Sequence, residues 1–403
     1  MRATLILLSI GLILSGCGQQ PESTGKPSAS FEESFRLALE TASSGDVILV
    51  PAGTHRFNRS LTLNTDGVTI RGEGMDKSIL SFAGQVAGAE GLLVNASDFV
   101  IEDIAIEDTK GDALKINEGK NIVVRRVRTE WTAGPATENG AYGIYPVQTE
   151  NTLIEGSVAI GASDAGIYVG QSRQVVVRDS RAEYNVAGIE IENTIHADVY
   201  NNVATNNTGG ILVFNMPQIN QAGHSTRVYN NRIVDNNTPN FAIPGTAVSG
   251  VPAGSGMVIN SNDRVEIFDN DIKNNQTANI LISSYFSANF AGQRELAEEF
   301  DPYPETIYIY ANRFSGGGEA PDRAALEQVR IALFGEDGHL PDIVWDGIQN
   351  PDKLAPEFAI CVNNDGAQLL NIDGANENKN PVVDMSGHQC DHAKLPVIEL
   401  AEI

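Results

Sequence analysis

Aromatic residues make up only 6% of the 403 residues, whereas glycine occurs 39 times. Few rings and many glycines suit numerous short strands and turns rather than a helical globule. Positive charge is also scarce. Lys and Arg total 27 against 52 Asp and Glu, for a formal charge of −25. A chain this acidic repels phosphate, which argues against a nucleic-acid partner. It would also repel an acidic polysaccharide in bulk unless a local basic patch or a divalent cation intervened. His196, His224, His388 and His392 lack metal-ligand spacing, and Cys390-Asp391-His392 is too short a cluster to argue for zinc. No glycine-rich loop is placed to cradle a phosphate, because the glycines recur at strand starts.

The apolar run from Leu5 to Leu14 is too short to span a bilayer comfortably. With Arg2 before it, it reads as the hydrophobic region of a signal peptide, residues 1–16. Leu14-Ser15-Gly16-Cys17 resembles a bacterial lipobox. That resemblance implies cleavage before Cys17 and a lipid on its side chain. Gly18 after the cysteine, in a Gram-negative cell, implies sorting to the outer membrane. Residues 17–30 are rich in Pro, Ser and Gln and read as a flexible tether. The other two cysteines, Cys361 and Cys390, are expected to pair in an oxidising compartment, with two free buried thiols as the alternative.

What the chain has in abundance is repetition. Ala165-Gly166-Ile167-Tyr168-Val169 returns as Ala187-Gly188-Ile189-Glu190-Ile191, 22 residues later. The pattern Gly-apolar-x-apolar starts at Gly91, Gly143, Gly166, Gly188, Gly210 and Gly256, with variants at Ala113 and Asn279. Spacings cluster at 22 and 23. One of 30 reads as a turn with an insertion, and one of 46 as two turns or one turn with a long excursion. A second strand follows in each repeat, as at Val175-Val176-Val177, and then a polar pair such as Asn201-Asn202 or Asn230-Asn231. Asparagine tolerates left-handed turns, so these pairs predict a stacked amide ladder.

Strands alternate their side chains. Ile167/Val169, Ile189/Ile191 and Ile211/Val213 share a phase and all point inward. One coil alone cannot bury such a face, but coils stacked at about 4.8 Å build one long core. The fold class is therefore all-β, a parallel β-helix. Phe31 to Thr41 has helical spacing and predicts an N-terminal cap, with a strand following at Val47 to Val50. A helix is expected over Pro321 to Gly335, and short strands at Ile343 to Trp345, Phe358 to Val362 and Leu369 to Ile372. Residues 31–315 are assigned to the β-helix and 316–403 to a mixed capping region.

A helix, then "GDVILVPAGT", then Gly-Ile-x-Val coils resembles the right-handed parallel β-helix, or pectin-lyase-like, superfamily, closest to uncharacterised bacterial parallel β-helix lipoproteins. That fold hosts lyases, hydrolases, epimerases, adhesins and metal-handling proteins, so the resemblance carries fold rather than function. Mannuronan C5-epimerases of this fold carry Asp-Pro-His-Asp after Tyr-Gly-apolar. Here Tyr142-Gly143-Ile144 is followed by Tyr145-Pro146-Val147-Gln148. Only the proline matches, so that chemistry does not carry over. Proline in a central ladder removes a hydrogen bond and predicts an irregularity.

The outward residues of successive coils form columns. Tyr145, Tyr168, Glu190, Glu192 and Phe214 stand beside an amide row of Gln148, Gln171, Asn193 and Asn215. Rings, amides and carboxylates suit sugars. Four coils span only about 14 Å. Tyr145, Tyr168, Glu190 and Glu192 are the candidate catalytic residues. Gln148, Gln171, Arg173, Asn193, Phe214 and Asn215 are the candidate substrate-binding residues. Glu190 and Glu192 point the same way, so they could act as an acid/base pair or share a Ca²⁺ ion. Insertions at 129–141, 238–255 and 285–305 could wall a groove on this face. The expectation is a lipid-anchored envelope protein that binds or modifies a polysaccharide in lyase or epimerase fashion. The alternatives are a non-catalytic surface scaffold, an adhesion protein or a metal-handling protein.

Overall fold

Period-two burial drives the architecture. Ile144, Ile167, Ile189, Ile211, Met257, Ile280, Ile343 and Leu369 succeed one another in register, each fully buried. Burying one such side chain contributes roughly 1.5–3 kcal/mol, and stacking repeats that gain coil after coil. The computed structural model describes residues 30–287 and 296–401. The signal region, Cys17 and nearly all of the tether lie outside these residues, as does part of the 285–305 insertion.

The described strands form two long sheets, one of 12 strands and one of 19. The Gly-apolar strands, such as Ala165–Gly170 and Ala187–Glu192, make the 12-stranded sheet. The second strands, such as Arg173–Arg178 and Ile195–Tyr200, join the other. Pairing is parallel throughout except for the last short pair, Leu370 with Val383. Tyr168 pairs with Glu190, one full circuit later. The gap of 46 is one turn carrying two excursions, since Gly209–Phe214 pairs directly with Ser255–Asn260. At Pro146 the expected irregularity is present: Tyr142–Val147 meets Ala165–Gly170 at Tyr142, Ile144 and Val147 but not at Tyr145 or Pro146.

Both ends carry helix and irregular chain beyond the regular coils. Helix α1 (Phe31–Thr41) starts with a capping box between Ser30 and Glu33 and drops Phe35 and Leu39 onto the first coil. Helix α2 (Ala324–Phe334) is shorter than the predicted span. Strands Ile343–Trp345 and Ile360–Asn363 continue the two sheets in parallel, and with helix α2 they make up the mixed C-terminal closing region. Cys361 and Cys390 form the disulfide. From it the tail runs back over the outside of the 19-stranded sheet. The N–H groups of Leu395, Ile398 and Ala401 donate to Glu266, Asp198 and Asn151. Under that tail Arg227 is held between Asp198 and Glu266.

The amide ladder exists, and there are two. Asn202, Asn231, Asn270 and Asn312 pass Nδ2–H to Oδ1 at 3.1, 3.0 and 2.9 Å. Asn185, Asn207, Asn236 and Asn275 repeat this at another corner. In the polar pairs the first residue takes the left-handed conformation (φ 56° at Asn201, 54° at Asn230), and the second enters the ladder. Each buried amide also accepts from the backbone of the preceding coil, as when Asn202 N–H donates to Asn231 Oδ1.

Two outcomes follow. Asn231→Ala leaves the neighbouring amides unpaired and costs roughly 2–4 kcal/mol in urea unfolding. A loss within experimental error would show the ladder to be incidental. Cys390→Ser frees the tail and costs about 2–4 kcal/mol. Hydrogen exchange should then rise at Leu395 and Ile398, and unchanged protection there would show the tail held by other means.

Candidate functional site

Outward residues of the 12-stranded sheet converge over three coils. Register places Tyr168 beside Glu190 and Gly170 beside Glu192. Because Gly170 has no side chain, the Tyr168 ring leans across it: a Cβ on Gly170 would lie 2.3 Å from the Tyr168 hydroxyl. That lean carries the hydroxyl to Glu192 Oε1, to which it donates at 2.7 Å. Tyr142 and Tyr145 complete a ring cluster with Tyr168, with centroids 4.4–4.8 Å apart. The Lys115 ammonium lies 5.0 Å from the centre of the Tyr145 ring.

Two further carboxyl groups enter from the turns before these strands. Asp164 lies close enough to Tyr142 for each to shift the other's pKa. Asp112 accepts the Tyr142 backbone N–H at 3.3 Å. The site is therefore built of two tyrosine–carboxyl pairs, Tyr168–Glu192 and Tyr142–Asp164, with Glu190 between coils. The sequence reading missed Asp112, Asp164, Tyr142 and Gly170. Its available signal was the recurrence of Asp-Ala at 112–113 and 164–165, just ahead of the strand in two coils.

Burial sets the chemistry. Glu190 is 1% exposed, and its Oε2 has no hydrogen-bond partner. Desolvation pushes its pKa well up, and the neighbouring Asp164 and Glu192 push it further. Desolvation likewise raises Glu192, against the opposing Tyr168 bond. Asp164 rises through burial and then through Glu192 and Asp112. Asp112 is raised to about 6 by desolvation, moderated by Lys115. The tyrosines are raised too, principally by burial. They are proton donors, not bases.

The expectation of an open column is corrected. Phe241, Ala242, Val248 and Val251 of the 238–255 insertion pack with Tyr168, Leu212 and Phe214. The insertion covers the face rather than walling an empty groove. Phe214, 3% exposed, is therefore no stacking platform for a sugar in this region. Asn193 and Asn215 are buried pins for the excursion after Phe214: Asn193 binds Met216 N–H and Gln221 O, and Asn215 binds both sides of Gly223. Gln148, Gln171 and Arg173 do border an open polar groove, with Gln221 opposite. The amide row has a prior structural cause. Gln148, Gln171 and Asn193 have φ of 58°, 51° and 44°, a turn that suits short polar side chains. The insertion at 129–141 sends Trp131 into the core. Arg178 is tied to Glu155 and the Tyr200 hydroxyl. Glu190 and Glu192 do not make up the carboxylate cluster with cation-like spacing. Among the described residues that cluster is Asp263, Asp301 and Glu305.

Continuous parallel coils with a side site of this kind define a parallel β-helix protein of the pectin-lyase-like class. A family model described as NosD, periplasmic copper-binding protein, matches residues 75–291, more than half of the 403. The chain belongs to that family. No curated protein matches. Among solved structures, the A-module of mannuronan C-5 epimerase AlgE6 from Azotobacter vinelandii is 16% identical with a TM-score of 0.52, over 83% of this chain and 89% of that one. Pectate lyase Pel9A is 13% identical with a TM-score of 0.44, over 81% and 86%. At these identities the likeness is one of fold.

A carboxyl group whose pKa is raised in the folded state adds stability below its ordinary pKa and loses it as pH rises through the raised value. The midpoint of thermal unfolding should therefore fall between about pH 5 and pH 9. Glu190→Gln keeps the shape without the charge and should flatten that fall. Identical slopes in the two proteins would contradict the burial account.

Proposed function

We propose that this envelope protein binds and modifies a polysaccharide on the outer face of its 12-stranded sheet. The observation that carries the reading is the packing of three tyrosines against carboxyl groups whose pKa values burial has raised. A lyase or epimerase reaction needs a base for the sugar C5 proton, a proton donor on the other side, and a cation against the substrate carboxylate. Asp112, raised to about 6, suits the base. Tyr145, held protonated and partly exposed, suits the donor. Lys115 is the cation beside it. Tyr168–Glu192 and Tyr142–Asp164 behind them hold the rings in place and can relay protons. Gln148, Gln171 and Arg173 form an adjoining strip for sugar hydroxyls. Cys17, as a lipidated residue, would tether the domain to the outer membrane, and the family's periplasmic description supports an envelope location.

Copper handling, named in the family's description, was tested against these side chains. Copper sites draw on imidazole, thiolate or thioether donors. Cys361 and Cys390 are consumed by the disulfide. The described carboxylate cluster Asp263, Asp301 and Glu305 offers hard oxygens alone, and Lys353 bonds two of them at 2.6 Å. His196 and His224 lie 5.7 Å apart by ring centroid. Burial, then Arg264, His196 and Arg173, depress His224 to about 4. Among the described residues no other group of three or more His, Cys, Asp or Glu side chains has metal-ligand spacing, and no step is drawn through copper. Among the described residues, Glu190 and Glu192 have no third His, Cys or carboxylate group within ligand spacing for Ca²⁺.

The test is a glycan array probed with the soluble chain lacking its N-terminal apolar run, followed by product analysis on each bound glycan. A product is expected, and Tyr145→Phe should reduce turnover about 100-fold with binding retained. Binding without any product would leave a carbohydrate-binding scaffold. No binding to any glycan would sink the reading.

A further inference from the structure

The same sheet face carries a second cavity that the carbohydrate reading does not use. Val258, Leu281 and Val344 succeed one another in register on the outer side of the coil and form its floor, with Phe214 at one edge. On one flank stands the insertion, through Val251 and Pro252. On the other stands helix α2, through Leu326 and Val329. Both elements are covers for an otherwise exposed apolar face, and they join at one edge, where Arg323 at the helix N-cap donates to the Gly250 carbonyl and Ala253 N–H donates to Asp322. The space left between them is about 480 Å³. That is within the range of cavities that take small organic ligands, roughly 300–1,000 Å³.

One polar group in this cleft is built but unused. Asn260, 1% exposed, ends the Ser255–Asn260 strand and lines the cavity. Its Nδ2 donates to Ser283 Oγ at 2.9 Å and to the Ser284 carbonyl at 3.1 Å, which fixes the orientation of the amide. Its Oδ1 has no hydrogen-bond partner. A buried acceptor in that state is destabilising unless a donor is supplied. The other buried polar group at the wall, Asp346, is already engaged by the Ser284 N–H and hydroxyl and by Ile348 N–H. Arg323 at the mouth is bonded to the Gly250 carbonyl. The cleft thus offers an apolar body, one free acceptor and a carboxyl group, and no free cation among the described lining residues.

We infer that this cleft binds a small neutral amphiphile, an aliphatic or aromatic body bearing a hydroxyl or N–H that donates to Asn260 Oδ1. An anion of the same length is disfavoured twice. It brings no donor to Asn260, and it meets Asp346 and Glu377 at the walls. The site stands apart from the tyrosine–carboxyl cluster, so it holds whether or not that cluster acts on a sugar.

Matched eight-carbon probes test this by isothermal titration calorimetry on the soluble chain. 1-Octanol should bind saturably with one site per chain, and octanoate at least tenfold more weakly. Asn260→Leu should narrow the difference between the two, leaving the part set by Asp346 and Glu377. Leu326→Trp, on a partly exposed helix position, should fill the cleft and abolish octanol binding with circular dichroism unchanged. Absence of saturable octanol binding, equal affinity for octanoate, or undiminished binding in folded Leu326→Trp would each overturn the inference. The comparison of the two probes on the unmodified protein decides the matter even if a variant fails to fold.

Discussion

Everything in this molecule rests on parallel coils lying in register at the strand spacing. An aliphatic column holds them from inside, since no coil can hide its own isoleucines. Asparagine ladders hold them at the corners, where the chain must turn and buried backbone N–H groups need acceptors. The stacked rings of Tyr200, Tyr229, Phe268 and Tyr310 mark the same repeat on the outside, with centroids 4.8, 4.8 and 5.0 Å apart. A one-residue slip would break all three at once, because it would turn every apolar residue outward.

Register also makes the chemistry. Residues a full circuit apart in sequence become neighbours within hydrogen-bond reach, so side chains from three coils can share one desolvated pocket. Gly170 illustrates how small the determinants are. Its missing side chain lets Tyr168 cross to Glu192 in the next coil. Desolvation then does what no single residue type could. Carboxyl groups that would be ionised on a surface are held towards their protonated form, and tyrosines are kept as donors. Family membership and fold likeness stop at architecture here. Among the described His, Cys, Asp and Glu side chains only Asp263, Asp301 and Glu305 have metal-ligand spacing, and the carbohydrate reading stands on the tyrosine–carboxyl site itself.

Much of the fold was legible because its signals are local and periodic. The Gly-apolar-x-apolar strands, the helix at Phe31–Thr41, the asparagine pairs and the Cys361–Cys390 bridge all follow from alternation, turn chemistry and compartment. The second ladder through Asn185, Asn207, Asn236 and Asn275 was equally periodic but sat one turn away from the positions inspected. The sequence left open whether Ile343–Trp345 and Ile360–Asn363 extend the coil or form a closing module, because helix α2 breaks the spacing without breaking the stack.

The site was legible only in part. Alternation by itself decided that Tyr168, Glu190, Glu192 and Phe214 point away from the coil interior, since a strand admits two faces and the other is filled by isoleucine and valine. It could not decide whether that outer face is wet. Only the tertiary structure folded the 238–255 insertion back over it, packing on Tyr168 and Phe214, and left a cleft between that insertion and helix α2. Burial of an outward residue depends on where a distant loop lands, and that is set by packing across many coils rather than by any pattern within one.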